Sequence, residues 1–148
     1  MSIVDDLRGN ALFRELGEEH LAEVAQIASR RSHEKGDTIF ELGAPSSHIY
    51  LLLEGMVLLR LPGASGDHAT IISTIDEGSL FGISALVGSV RYTSTATCEG
   101  KSELLAIRAE PFAELIRTGK LPGYTIMDHV ARMYFRRYVE VLRIYRLW

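Results

Sequence analysis

The spacing of hydrophobic residues changes twice along the chain, from helical to short-strand spacing and back to helical spacing. In the N-terminal segment, Ser2 can cap a first short helix, and Gly17 precedes a second. The second helix is marked by apolar residues spaced three or four apart, at Leu21, Val24, Ala25 and Ala28. The pattern predicts N-terminal helices within residues 1–30.

From residue 31 to residue 107 the helical period is replaced by short apolar runs separated by turn residues. The runs cover residues 38–40, 48–53, 56–61, 69–75, 94–98 and 103–107. Glu54-Gly55 and Glu99-Gly100-Lys101 each predict a hairpin between the runs on either side. Strands this short and this evenly spaced are typical of a β-barrel or jelly roll.

Helical spacing returns in residues 108–148. Pro111 lies near the start of one helix, and Gly119 ends it. After Pro122-Gly123 an unbroken pattern predicts a long helix over about residues 124–148. Its apolar stripe consists of Met127, Val130, Tyr134, Tyr138, Val141, Tyr145 and Trp148.

Composition narrows the function classes. A chain of 148 residues fits a single domain, 1–148, and a net charge of −3 gives no global basic field for nucleic acid. The one cysteine, Cys98, excludes an intrachain disulfide and fits a reducing cytoplasm. No stretch approaches the roughly 20 apolar residues that span a bilayer. We therefore expect a cytoplasmic domain without a membrane span.

Several short motifs follow one another in an order that resembles a known family. They are Lys35-Gly36-Asp37-Thr38-Ile39-Phe40, Gly43, Ile49-Tyr50-Leu51-Leu52-Leu53-Glu54-Gly55, Gly78-Ser79-Leu80-Phe81-Gly82, Ser102-Glu103-Leu104-Leu105-Ala106-Ile107 and Phe112. Over most of its length the chain is similar to the cyclic nucleotide-binding domain of catabolite-activator-type regulators. The resemblance implies a mainly β double-stranded β-roll with N-terminal helices and a long C-terminal helix, and the function of a regulatory sensor.

The resemblance also implies where a ligand would bind. In ligand-binding members, a short helix after Phe-Gly faces the cyclic phosphate. A glutamate directly after Phe-Gly binds the ribose 2′-hydroxyl, and an arginine nine residues later pairs with the phosphate. Here these two positions hold Ile83 and Tyr92, and Arg91 comes one residue early. Because neighbouring residues on extended backbone face opposite sides, Arg91 would have to flip or slip to reach a phosphate.

The predicted pocket is therefore more apolar than is usual in the family, with the Tyr92 hydroxyl as a polar group. It comprises Phe81, Gly82, Ile83, Ser84, Ala85, Leu86, Arg91, Tyr92 and Thr93. Losing both ligand contacts would weaken binding on the order of a thousandfold. We expect no normal cAMP binding, and a different small-molecule ligand or none. The alternative is an atypical phosphate contact through Arg91.

An enzyme or metal protein of the related cupin barrels is the first rival. Such a metal site needs clustered ligands, usually two histidines one residue apart. The histidines are scattered, at His20, His33, His48, His68 and His129, and the sequence contains no nucleophile elbow or P-loop. We expect no catalytic residue, no metal and no cofactor.

A transcription regulator is the second rival. Full-length regulators of this type carry a helix-turn-helix after the long helix, whereas this chain ends at Trp148, within the predicted helix. We expect no DNA-binding domain. The sequence leaves open whether the chain is a stand-alone domain or a truncated sensor domain.

The long helix has two predicted faces. Its arginines, Arg132, Arg136, Arg137, Arg143 and Arg146, form either a solvated face or a basic surface for acidic partners. The apolar stripe packs either on the β-roll or on a second copy of the helix. We expect a homodimer through Val130, Tyr134, Tyr138, Val141, Tyr145 and Trp148.

Overall fold

The computed structural model describes residues 2–63, 70–144 and 146. Eight strands form two antiparallel sheets, which confirms the predicted β-roll with helices on either side. The helices are α1 (Ile3–Leu7), α2 (Ala11–Arg14), α3 (Glu18–Ala25), α4 (Ala109–Arg117) and α5 (Gly123–Ile144), with a short 3-10 helix at Ser84–Val87. The strands are β1 (Ala28–His33), β2 (Thr38–Phe40), β3 (His48–Glu54), β4 (Val57–Leu61), β5 (Thr70–Ile75), β6 (Leu80–Phe81), β7 (Thr95–Cys98) and β8 (Ser102–Arg108).

Two side chains cap the N-terminal helices. Ser2 Oγ accepts a hydrogen bond from the Asp5 amide at 3.1 Å, as the sequence predicts for the start of α1. Asn10 caps α2, and its Nδ2 also donates to the Gly78 carbonyl at 2.9 Å. Asn10 therefore fixes the N-terminal helices to the connection between β5 and β6.

Strand β1 begins earlier than the sequence predicts. Ala28, which the sequence places on a helical face, pairs with Ile107 of β8, and α3 ends at Ala25. The Ile27 carbonyl accepts a hydrogen bond from the Arg108 amide at 2.9 Å. Pairing with β8 supplies the backbone hydrogen bonds that a longer helix would have supplied, so the helical prediction for Ala28 is wrong.

The two predicted hairpins are also wrong, because the turns join strands of different sheets. One sheet has the order β1-β8-β3-β6 and the other β2-β7-β4-β5. The connection at Glu54-Gly55 therefore crosses from β3 to β4, and the connection after β7 crosses to β8. The two crossings pack together, since a Cβ on Gly55 would lie 2.3 Å from Ser102 Oγ.

Two hydrophobic cores follow from the alternation of side chains along the strands. Ile49 and Leu51 of β3 belong to a core shared with the helices, whereas Tyr50 and Leu52 belong to a core between the sheets. The strand β3 is therefore buried on both faces. Residues 64–69, which the sequence assigns to a loop and the start of a strand, lie outside the described residues.

Helix α5 packs on the roll through Ile126 and Val130, which are buried. It ends at Ile144, and Arg146 has a left-handed φ of 57°, which ends helical geometry before the predicted limit at residue 148. Tyr145 and Trp148 lie outside the described residues. Within the described ranges, no helix is long and apolar enough to cross a membrane.

Candidate ligand-binding site

A cavity of about 250 Å³ lies between the β-roll and α5. The helix contributes Tyr134, Arg137, Tyr138 and Val141 to its lining. The roll contributes Phe40, Leu59, Ile72, Ser73, Gly82, Ile83, Ser84, Tyr92, Thr93 and Ser94. Most of these side chains are apolar or aromatic, which is usual for pockets that hold small organic molecules.

Stacked aromatic rings form one wall of the cavity. The Phe40 and Tyr92 rings stack with their centroids 3.9 Å apart and their planes 16° apart. Behind them, Tyr50 stacks on Phe81 at 5.4 Å. Gly82 passes close to this wall with φ of 67°, and a Cβ there would lie 3.0 Å from the Phe40 ring. The stack and the glycine together give the cavity a flat apolar side.

The Tyr92 hydroxyl is bound by the backbone of His48. It donates to the His48 carbonyl at 2.7 Å and accepts from the His48 amide at 3.1 Å. The ring lines the cavity, while both hydrogen bonds of the hydroxyl go to the start of β3. This differs from the prediction that the hydroxyl serves as the polar group of the pocket, because the first residue of β3 supplies a donor and an acceptor for it.

Arg91 faces away from the cavity. Its Nη1 donates to the Gly43 carbonyl at 2.7 Å, and its backbone forms a bridge with Pro45. Its side chain is exposed. Since Tyr92 turns inward, its neighbour Arg91 turns outward, as alternation on extended backbone requires.

The other predicted pocket residues divide between the cavity and the cores. Gly82, Ile83, Ser84, Tyr92 and Thr93 line the cavity. Phe81 is buried between the sheets, and Ala85 and Leu86 of the 3-10 helix pack against the core on the helical side. Of the residues that follow Phe81, some therefore line the cavity and others pack in a core.

Sequence reasoning missed the contribution of α5, above all that of Arg137. Its Nη2 donates to the Leu80 carbonyl at 2.5 Å, and burial lowers the pKa of its guanidinium while Tyr134 and Glu140 oppose that change. The spacing of residues along α5 did contain a signal that Arg137 faces the roll. Val130, Tyr134, Arg137 and Val141 follow one another at intervals of four, three and four, so Arg137 belongs to the face of α5 that meets the roll.

The packing of α5 on the roll buries some residues of the predicted dimer stripe and leaves others exposed. Val130 is 1% exposed against its own roll, and Tyr134 packs on the same core. Tyr138, in contrast, is 58% exposed even though it borders the cavity, and its neighbour Phe135 is 61% exposed. The outward apolar face of α5 is therefore rotated from the stripe that the sequence predicts.

Among the described residues, no group of three or more His, Cys, Asp or Glu side chains could hold a metal ion. Cys98 is buried, and burial raises the pKa of its thiol, which disfavours the reactive thiolate.

The β-roll and its cavity against a C-terminal helix define a sensor-type domain, and comparison with known proteins identifies its family. The sequence profile of the cyclic nucleotide-binding domain matches residues 30–118. The chain belongs to this family, in the group that resembles catabolite activator proteins. The members of this family are regulatory sensor domains rather than enzymes.

Relatives of known sequence share this region. The chain is 28% identical over 126 residues to the cyclic AMP receptor protein of Thermus thermophilus, covering 85% of this chain and 58% of that protein. It is 25% identical over 114 residues to a cGMP-dependent protein kinase of Drosophila melanogaster, covering 76% of this chain and 12% of the kinase. The chain thus spans less than two thirds of either relative.

Solved structures show the same fold. A protein from Geobacter metallireducens that is named for cyclic nucleotide binding superimposes with a TM-score of 0.80 at 26% identity, over 93% of this chain and 98% of that one. The catabolite activator protein of Thermus thermophilus superimposes with a TM-score of 0.72 at 26% identity, over 90% of this chain and 62% of that one.

Proposed function

We propose that this chain is a ligand-sensing regulatory domain that does not bind cAMP or cGMP in the manner usual for the family. Its ligand would occupy the cavity between the roll and α5. The proposal rests on the residues that occupy the two positions where ligand-binding family members are expected to contact the ribose and the phosphate. Ile83 is 2% exposed and apolar where a ribose-binding glutamate is expected, and the Tyr92 hydroxyl is held by His48 where a phosphate-binding arginine is expected.

The energetics argue against a cyclic phosphate in the usual position. An anion that leaves water needs a cation or several donors to replace its hydration. Arg91 could supply the cation only by breaking its bond to the Gly43 carbonyl and crossing to the other side of its strand segment. An apolar pocket instead favours a ligand with an apolar body.

A regulatory domain of this kind would act through a partner or through a change in its own assembly. The described residues that line the cavity offer binding chemistry and form no recognised catalytic constellation, which supports a function other than that of an enzyme. The buried single cysteine fits a reducing compartment, so the proposed location is the cytoplasm.

A homodimer through α5 is part of the proposal. Phe135 and Tyr138 lie three residues apart on the outward face of α5, and Leu142 follows after four more. This 3-4 spacing is what a two-helix seam requires. Exposed aromatic side chains in a row are rare on monomers, and a twofold partner would cover them with the same row.

Calorimetry tests the ligand proposal. We expect no saturable heat when cAMP or cGMP is titrated into the protein to about millimolar concentration. The Thermus thermophilus cyclic AMP receptor protein, titrated in the same buffer, is the positive control. Saturable binding at micromolar concentration would contradict the proposal. If Arg91→Ala abolished that binding, the phosphate contact would belong to Arg91.

A further inference from the structure

Arg137 is the charged side chain in the lining of the cavity between the roll and α5. No aspartate or glutamate is among the lining residues in the part of the chain that the structure describes. Arg137 also borders a neighbouring polar cavity of about 440 Å³, but there Asp76, Glu77 and Glu140 supply negative charge. The positive charge of Arg137 is thus without a carboxylate on the side of the apolar cavity.

The hydrogen bonding of Arg137 leaves room for a further acceptor. A guanidinium has five N–H donors. The structure gives Arg137 one hydrogen bond, to the neutral Leu80 carbonyl, and no ion pair with any described residue. Anionic acceptors bind a guanidinium more strongly than neutral carbonyls do, and carboxylate or phosphate groups engage two of its donors at once. A half-buried cation whose one hydrogen bond goes to a neutral acceptor is therefore a favourable place for an anion.

Ser84 provides a second, independent indication of a ligand. It is 4% exposed and lines the same cavity, and its hydroxyl has no hydrogen-bond partner among the described residues. A buried hydroxyl that lacks a partner is costly and uncommon in folded proteins. An acceptor held in the cavity would satisfy it.

The rest of the lining specifies the body of the ligand. The stacked Phe40 and Tyr92 rings form one wall, and Leu59, Ile72 and Val141 add aliphatic surface. Such a wall stabilises a flat apolar or aromatic group by burial and stacking. Ser73, Thr93 and Ser94 add polar residues to the lining beside this apolar surface.

We infer that the cavity binds a small organic anion with an apolar or aromatic body, and that Arg137 binds its acidic group with help from Ser84. This inference rests on the proposed function, because it assigns the ligand of the same cavity. On binding, the acidic group competes with the Leu80 carbonyl for the guanidinium. The contact between β6 and α5 would then differ between the ligand-bound and the ligand-free protein.

Two fluorescent probes that differ in one group test the inference. 1-Anilinonaphthalene-8-sulfonate carries an aromatic body and a sulfonate, and N-phenyl-1-naphthylamine has the same body without the sulfonate. Both are titrated into the full chain at low ionic strength. We expect both to bind, and we expect Thr93→Trp to weaken both, because exposed Thr93 borders the cavity and a larger side chain would obstruct it.

Arg137→Met is the decisive variant and Arg136→Met its matched control. We expect Arg137→Met to weaken the sulfonate probe about 10- to 100-fold and the neutral probe less than about threefold, since only the sulfonate loses a charged partner. Arg136→Met removes an equal charge from the preceding residue of α5, which lies outside this cavity. It should change the affinity for either probe less than about threefold. Circular dichroism checks that each variant is folded.

Ser84→Ala provides a second test of the inference if Arg137→Met fails to fold. It removes only an unpartnered hydroxyl, and it should weaken the sulfonate probe by up to about tenfold while leaving the neutral probe unchanged. Added salt should likewise weaken the sulfonate probe alone. Saturable binding of both probes with no selective loss in Arg137→Met or Ser84→Ala would overturn the inference and leave the proposed function standing. Failure of both probes to bind the unaltered chain would overturn the inference and also the part of the proposed function that places a ligand in this cavity.

Discussion

At the scale of single residues, Tyr92 and its neighbour Arg91 have polar groups that the protein's own backbone already binds. Tyr92 stacks on Phe40, and its hydroxyl donates to the His48 carbonyl and accepts from the His48 amide. The Arg91 guanidinium donates a hydrogen bond to the Gly43 carbonyl. The sequence predicts that Tyr92 occupies the position of the family's arginine and that Arg91 comes one residue early. It could not predict their partners, because those come from β3 and the preceding loop, which are distant along the chain.

Tyr50 gives a prediction about alkaline pH. Burial, followed by the neighbouring Tyr92, raises its pKa to about 12 in the folded protein, with Arg31 opposing the change. The unfolded chain releases this proton near its ordinary pKa of about 10. The stabilisation is complete below pH 10 and is lost as the pH rises towards 12, which amounts to up to about 2.7 kcal/mol of unfolding free energy.

Urea unfolding between about pH 9 and pH 11.5 measures this effect. Tyr50→Phe should flatten the fall of the unfolding free energy with pH, because the ionising hydroxyl is gone. Tyr124→Phe is the control, since Tyr124 is 86% exposed and its substitution should leave the slope unchanged. A slope in Tyr50→Phe equal to that of the unaltered chain would show that Tyr50 is not the responsible group.

At the scale of elements, the limits of strands and helices were more predictable than their partners. The runs at residues 38–40 and 48–53 correspond to β2 and β3, and the break at Gly119 follows the end of α4 at Arg117. A turn signal shows that the chain reverses direction, but it does not show which sheet the next strand joins. The crossing at Glu54-Gly55 depends on packing against Ser102, which no local pattern contains.

Local sequence patterns do not contain tertiary packing, and this also explains why the sequence did not reveal the part of the cavity that α5 lines. The sequence pattern predicts α5 and its apolar spacing, but it leaves the arginines of this helix as either a solvated face or a basic surface for acidic partners. Only the position of α5 against the roll shows that the Arg137 guanidinium reaches the Leu80 carbonyl. The residues after Phe81-Gly82 were found because the resemblance to the family supplied their position.

Gly55 tests the crossing between the sheets. Its φ of 108° strains any other residue, and a Cβ would lie 2.3 Å from Ser102 Oγ and 2.7 Å from the Lys101 carbonyl. Gly36 also has a positive φ, of 90°, but nothing lies within 4 Å of its Cβ position. We expect Gly36→Ala to cost about 1–2 kcal/mol and Gly55→Ala to cost about 1–3 kcal/mol more, because overlap is added to strain. Equal losses in urea unfolding would contradict the packing of the two crossings.

At the scale of the whole molecule, α5 connects the cavity with the proposed dimer surface. Arg137 and Tyr138 are neighbours that both line the cavity, and Tyr138 also belongs to the outward row with Phe135. A ligand that moves Arg137 away from Leu80 would therefore act on the helix that a second copy contacts. This gives a physical route from ligand binding to a change in assembly.

Sedimentation tests the proposed dimer. The unaltered chain should approach twice its 16.5 kDa mass as concentration rises, and Phe135→Glu should remain near 16.5 kDa because two buried carboxylates would face each other. Met56→Glu is the control, since Met56 is an exposed apolar residue outside α5. A mass that stays near 16.5 kDa at every concentration and ionic strength would contradict the dimer.

This domain has the cyclic nucleotide-binding fold, and we propose that it lacks the usual phosphate site. The most direct measurement is a ¹⁵N–¹H NMR titration of the full chain with cAMP, following the amides of Gly82, Ile83 and Ser84 beside the cavity. Gly36 and Gly119, outside the cavity lining, serve as references. We expect none of these resonances to move at about millimolar cAMP. Saturable shifts confined to Gly82, Ile83 and Ser84 at micromolar cAMP would contradict it.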